Sequence, residues 1–178
     1  MLSLPRPGHF RRPDGTSVAA VTSPPLRRPA PAGYSGTPLP SKLGIKPGCR
    51  LLVADAPADL VLEPLPDGVD VERLTERLPS RSSGARFDVV MLFCADMATL
   101  EARFVPLMEL LEPASALWVC WPKRASGVLT DLGEKAVREH GLFAGMVDVK
   151  VCAVDAVWSG LKFVYRVSDR PNASSTQA

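Results

Sequence analysis

Histidine is almost missing from this chain: only His9 and His140 occur. Ser35 and Ser159 therefore have no plausible histidine partner, and no nucleophile–base pair can be assembled. There is no H-x-x-x-H, no cluster of acids with metal-ligand spacing and no P-loop, so zincin-type and nucleotide-triphosphate chemistry have no motif to rest on. Close cysteine pairs are absent too. Cys49, Cys94, Cys120 and Cys152 stand far apart with no C-x-x-C. They read as reduced core thiols, since free cysteine behaves as a small hydrophobe. That usage points to the cytoplasm, and with so few histidines no zinc site is expected. No apolar run approaches the roughly 20 residues of a membrane span. Acids are scarce at one end only: residues 1–33 hold Arg6, Arg11, Arg12, Arg27 and Arg28 against Asp14 alone. The rest carries 16 basic and 18 acidic side chains, a balance with no nucleic-acid footprint.

What is present suits one domain with extensions. The chain has 178 residues and is 46% apolar, enough for a sizeable core. Residues 1–33 hold seven of the 18 prolines, with Gly, Ser and Arg between them. Such a segment cannot offset its ordering entropy by burial and is expected to be disordered. Residues 169–178 read as a second disordered tail, which leaves a single α/β domain over 34–168.

The stretch from Phe87 to Lys123 organises that domain. Phe87 to Phe93 is a nearly continuous apolar run. Met97, Leu100, Phe104, Leu107 and Leu111 then recur at helical spacing, and Ala116 to Trp121 is a second apolar run. Apolar runs without alternation mark strands covered on both faces, as in parallel sheets with crossover helices. Before this βαβ unit the spacing predicts a short helix over Pro40–Gly44, a strand over Arg50–Asp55 and a half-buried strand over Val69–Leu74. Loop sequence fills Thr75–Arg86. After the unit, Thr130 is the expected N-cap of a helix ending at Gly141. Met146–Val154 and Leu161–Val167 follow as strands. The short link Asp155–Gly160 makes them a hairpin.

Two stretches resemble the methyltransferase-type Rossmann fold. One is Leu43-Gly44-Ile45-Lys46-Pro47-Gly48-Cys49-Arg50-Leu51-Leu52-Val53, similar to that fold's run into its first strand. The other is Leu110-Leu111-Glu112-Pro113-Ala114-Ser115-Ala116-Leu117-Trp118, similar to the run into its fifth strand. The terminal hairpin matches as well. From about Tyr34 to Val167 the chain also resembles an uncharacterised bacterial family of unknown function. The shared segments are Gly33-Tyr34-Ser35-Gly36-Thr37-Pro38-Leu39, Trp121-Pro122-Lys123, Val147 to Cys152, and Trp158-Ser159-Gly160-Leu161-Lys162-Phe163. The resemblance implies a small three-layer Rossmann-like sheet, mostly parallel and ending in an antiparallel hairpin. It implies no activity. Where a nucleotide-type cofactor needs a glycine-rich loop after the first strand, the chain has Asp55-Ala56-Pro57-Ala58-Asp59. The first crossover is short, and the usual third strand is not evident. The expectation is no cofactor, with S-adenosylmethionine disfavoured.

Ligands of open α/β sheets bind at the carboxyl ends of the strands. Insertion of the last strand beside the Trp118 strand is expected to gather Trp121, Lys123, Asp155, Trp158, Ser159 and Lys162 at that edge. Two lysines suit an anion, and two tryptophans suit a flat or apolar group. Each residue also has a structural reading: the tryptophans as packing residues, the lysines as solvated charges, Asp155 and Ser159 as turn residues. Three functions compete. The first is a non-catalytic binding or regulatory module for a small anionic ligand or partner peptide. The second is a small transferase, as an atypical S-adenosylmethionine-dependent methyltransferase. The third is a homodimer subunit that buries the tryptophan edge. Whether the chain is an enzyme is left open by its residues.

Overall fold

The computed structural model describes residues 36–75 and 86–169. The segments expected to be disordered, 1–33 and 169–178, lie outside the described residues, Asp169 excepted. So does most of the expected 75–86 loop. Six strands form one sheet: β1 (Arg50–Ala54), β2 (Asp70–Leu74), β3 (Phe87–Phe93), β4 (Leu111–Pro122), β5 (Met146–Ala153) and β6 (Trp158–Tyr165). Their order is β2-β1-β3-β4-β6-β5. The first four are parallel, and β6 lies antiparallel between β4 and β5. This is the expected Rossmann-like α/β sheet with its terminal hairpin. Among the described residues no strand lies beyond β2, and the connection over residues 55–69 carries no helix.

Both sheet faces are covered, which is why the central strands read as unbroken apolar runs. All of β3 is buried except Asp88. Helices α2 (Met97–Met108) and α3 (Glu134–Phe143) cover one face. There Leu100, Phe104, Leu107 and Val137 pack on Leu117, Val119, Leu161 and Phe163. The short helix α1 (Leu39–Leu43) and the 55–69 connection cover the other, where Leu43, Leu60 and Leu62 meet Leu51, Val53, Met91 and Trp118. The Trp118 indole Nε1–H donates to the Leu43 carbonyl at 2.9 Å and so fastens α1 to the sheet.

Several boundaries differ from the sequence expectation. Helix α2 stops at Met108 with Pro106 in its last turn, and Leu111 opens β4 instead of closing the helix. Helix α3 is capped at Gly133, not Thr130, whose hydroxyl accepts the Leu132 N–H in the preceding turn. It also continues through Gly141 to Phe143. Gly141 is there for packing: a β-carbon would lie 2.1 Å from the Phe163 ring. Strand β6 begins at Trp158, so the hairpin link is residues 154–157.

Candidate functional site

Strand β1 connects outward to β2 on one side, while β3 leads to β4 on the other. The carboxyl ends of β1 and β3 therefore form a topological switch point, where open α/β sheets leave a crevice. A cleft of about 590 Å³ opens there. Its principal side chains are Asp55, Phe93, Asp96, Arg103 and Trp158. The cleft volume falls in the roughly 300–1,000 Å³ range of small-molecule sites.

Asp55 is the first residue after β1 and has φ 55°, the only positive φ of a non-glycine residue among those described. Aspartate tolerates that left-handed conformation better than most side chains. Its N–H donates to the Leu74 carbonyl at 2.7 Å, tying the loop to the end of β2. Its Oδ1 accepts a 3.1 Å hydrogen bond from the Arg103 guanidinium, in an ion pair whose side chains are only 17% and 18% exposed. Its Oδ2 is buried and has no hydrogen-bond partner among the described residues. Burial pushes the Asp55 carboxyl above its ordinary range, and the Arg103 charge partly opposes this.

Asp96 follows β3 and caps α2, its Oδ1 accepting the Thr99 N–H at 2.7 Å. That backbone hydrogen bond holds its carboxyl below the usual range. Ala95, Ala98 and Ala102 give the α2 wall small side chains, which leaves the cleft open. Phe93 and Trp158 form the aromatic wall, edge to face at 5.2 Å and 79°. Cys94 is no nucleophile: burial, with the Asp96 and Asp55 charges, pushes its thiol up to about 12. Among the described residues no group of three His, Cys, Asp or Glu side chains could hold a metal. No helix among them is long and apolar enough to cross a membrane.

The structure divides the residues singled out from the sequence. Strands β4 and β6 do pair, Trp121 opposite Ser159 and Pro122 opposite Trp158. The segments around Trp121 and Trp158 thus lie side by side. The two indoles, however, lie on opposite faces of the sheet. Trp121 is buried in the α2–α3 core, and Trp158 packs on the α1 side. They cannot clamp one flat group between them, because adjacent register positions of a strand alternate faces. Asp155 closes the hairpin, its Oδ1 accepting the Val157 and Trp158 N–H groups at 2.7 Å each. The Lys123 ammonium donates to the Asp155 carbonyl, which braces the same turn. Lys162 pairs with Trp118 in mid-strand and faces a different cavity, beside Gly44 and Lys46 near the amino ends of the strands. Only Trp158 of the six lines the switch-point cleft. Asp55, Phe93 and Arg103 were not singled out. The available signal was an acid ending the first strand of an α/β sheet; nothing local pairs it with an arginine 48 positions later.

No protein-family model matches the chain, and neither does any curated protein. Solved structures do resemble it. An S-adenosylmethionine-dependent methyltransferase from Aquifex aeolicus matches with TM-score 0.51 and 15% identity, covering 69% of this chain and 85% of that one. A TehB-like S-adenosylmethionine-dependent methyltransferase from Corynebacterium glutamicum matches at 0.50 and 11%, covering 76% and 91%. Magnesium protoporphyrin IX methyltransferase from Synechocystis, solved with bound S-adenosylmethionine, matches at 0.50 and 11%, covering 72% and 74%. The fold is methyltransferase-like. At such identities the likeness extends to the fold alone.

Proposed function

We propose that this protein is a small, atypical S-adenosylmethionine-dependent transferase that holds its cofactor in the cleft between Asp55 and Trp158. One observation carries the reading: the Asp55–Arg103 pair at the switch point, with a buried Asp55 oxygen that has no hydrogen-bond partner among the described residues. The amino-acid end of the cofactor is a zwitterion. Asp55 has acceptor capacity for its ammonium, and Arg103 offers a planar donor fork for its carboxylate. A glycine-rich cradle holds an anionic group with backbone N–H donors, one of which Pro57 cannot supply. Here two side chains take over that task. The Phe93–Trp158 wall suits the flat base and the cationic sulfonium.

When bound, the cofactor supplies an electrophilic methyl group. The chain's own contribution is to bind and orient it, because an in-line displacement gains most from positioning. Among the described residues the cleft's two carboxylates are already engaged, Asp55 by Arg103 and Asp96 as the cap of α2; that observation favours a second reading, a non-catalytic binding module with the same cleft.

Titration calorimetry with S-adenosylmethionine and S-adenosylhomocysteine tests the proposal. The expected dissociation constant is below about 100 μM, which corresponds to about −5.5 kcal/mol. Asp55→Asn is expected to weaken it at least about tenfold, a change of about 1.4 kcal/mol. No binding of either compound ends this reading. Binding without product release in the presence of nucleophilic acceptors selects the non-catalytic module.

A further inference from the structure

Away from the switch-point cleft, three lysines gather on the α1 side of the sheet. Lys150 on β5 stands directly opposite Lys162 on β6. Like charges facing each other across a strand pair destabilise the sheet. The arrangement depends on a β-bulge, because the register shifts between Asp148 and Lys150 and leaves Val149 as the extra residue. Without the bulge Lys150 would fall on the α2–α3 face with Asp148's neighbours, far from Lys162. Bulges commonly re-aim a side chain in this way. The Lys150 ammonium comes to rest over the Trp118 ring, 5.7 Å from its centroid. Lys162 is half-buried, its ammonium 3.8 Å from where a β-carbon on Gly44 would sit. Burial and the charges of Lys150 and Lys46 make its protonation harder. Among the described residues none of the three lysines has an acidic partner in an ion pair.

Two of these lysines border a cavity of about 440 Å³. Lys46 and Lys162 line it, together with Gly44, Gly48 and Ser115, a buried polar residue only 7% exposed. The cavity's acids are Asp88, whose carboxylate already accepts the Arg50 N–H at 2.8 Å, and the exposed Glu112.

We propose that this cavity is a second ligand site, for a small molecule bearing a phosphate or diphosphate group held by Lys46 and Lys162, with Lys150 opposite Lys162 at its margin. A multivalent anion placed among the three ammonium groups converts their mutual repulsion into attraction. The concave shape and the half-buried lysine favour a small anion over an extended polyanion. The site is independent of the cofactor reading, since it shares no residue with the switch-point cleft.

The probe is inorganic pyrophosphate, with sodium chloride at matched ionic strength as control. Thermal unfolding and calorimetry are run on the full chain and on Lys162→Met and Lys150→Met. Pyrophosphate is expected to raise the wild-type melting temperature above the chloride control, and each substitution to raise the dissociation constant at least about tenfold. In chloride alone Lys162→Met is expected to melt above wild type, because it removes the repulsion. No pyrophosphate-specific shift overturns the proposal. So does an equal shift in both variants, or binding of a single-stranded oligonucleotide without binding of pyrophosphate.

Discussion

Replacing Gly141 with alanine separates two opposing effects whose sizes can be compared. In an isolated helix the change stabilises by about 1 kcal/mol, because glycine has more conformational freedom to lose. In α3 the new β-carbon would meet three atoms of the Phe163 ring at 2.1–2.7 Å. These are hard overlaps. Phe163 is fully buried, and its ring is held edge to face against Phe104 at 5.5 Å, so it has little room to turn away. Overpacking of this kind costs about 1–3 kcal/mol, and occasionally more. The clash is severe enough to place it at or above the top of that range, so after the helix gain a net destabilisation of about 2 kcal/mol or more is expected. At about 2–4 °C per kcal/mol for a domain of this size, the melting temperature falls by about 4–8 °C or more. Urea unfolding monitored by circular dichroism measures the change. Gly141→Ala combined with Phe163→Leu should lose less than the sum of the single changes, because the smaller side chain vacates the contested space. A neutral or stabilising Gly141→Ala would refute the close helix–strand approach and restore Gly141 as an ordinary helix stop.

Three further outcomes follow from the same coordinates. Trp118→Phe strands the Leu43 carbonyl in the core and should cost about 1–3 kcal/mol in urea unfolding; a loss below about 0.5 kcal/mol would show that the bond does not hold α1. For Asp55 the folded-state carboxyl lies above its ordinary 3.8, so the unfolded chain releases this proton first. Its contribution to stability is then intact below 3.8 and declines as pH rises through the folded-state value, and Asp55→Asn should erase that decline in a pH series of unfolding curves. The buried Cys94 and Cys120 thiols, both pushed upward by burial, should resist a thiol-specific reagent near neutral pH until the protein is denatured; rapid labelling of either in the native protein would contradict the packing.

Much of the architecture was legible along the chain because it rests on local periodicity. The apolar runs at Phe87–Phe93 and around Trp118, the helical spacing from Met97 to Leu107, and the two final strands each show their burial in their own residues. Strand and helix ends were less legible. Gly141 looks like a stop signal because glycine usually is one, and only the ring of Phe163, 22 positions later, explains why the helix runs through it. The bulge after Asp148 is similarly invisible in a segment that alternates smoothly, yet it decides which face Lys150 occupies.

The candidate site divides the same way. Sequence alone determined that the chain builds an α/β sheet with a terminal hairpin, that β6 and β4 could be neighbours, and that the loop after β1 lacks glycine. Those properties belong to residue type and spacing, which are one-dimensional. Tertiary structure decided which side chains share a space. It sent Trp121 and Trp158 to opposite faces, spent Lys123 and Asp155 on closing the hairpin, and placed Lys162 in a different cavity from Trp158. It joined Asp55 to Arg103 across the switch point. The physical reason is that strand alternation turns a one-residue difference in register into a change of sheet face, while contacts between distant elements depend on packing that no local pattern records.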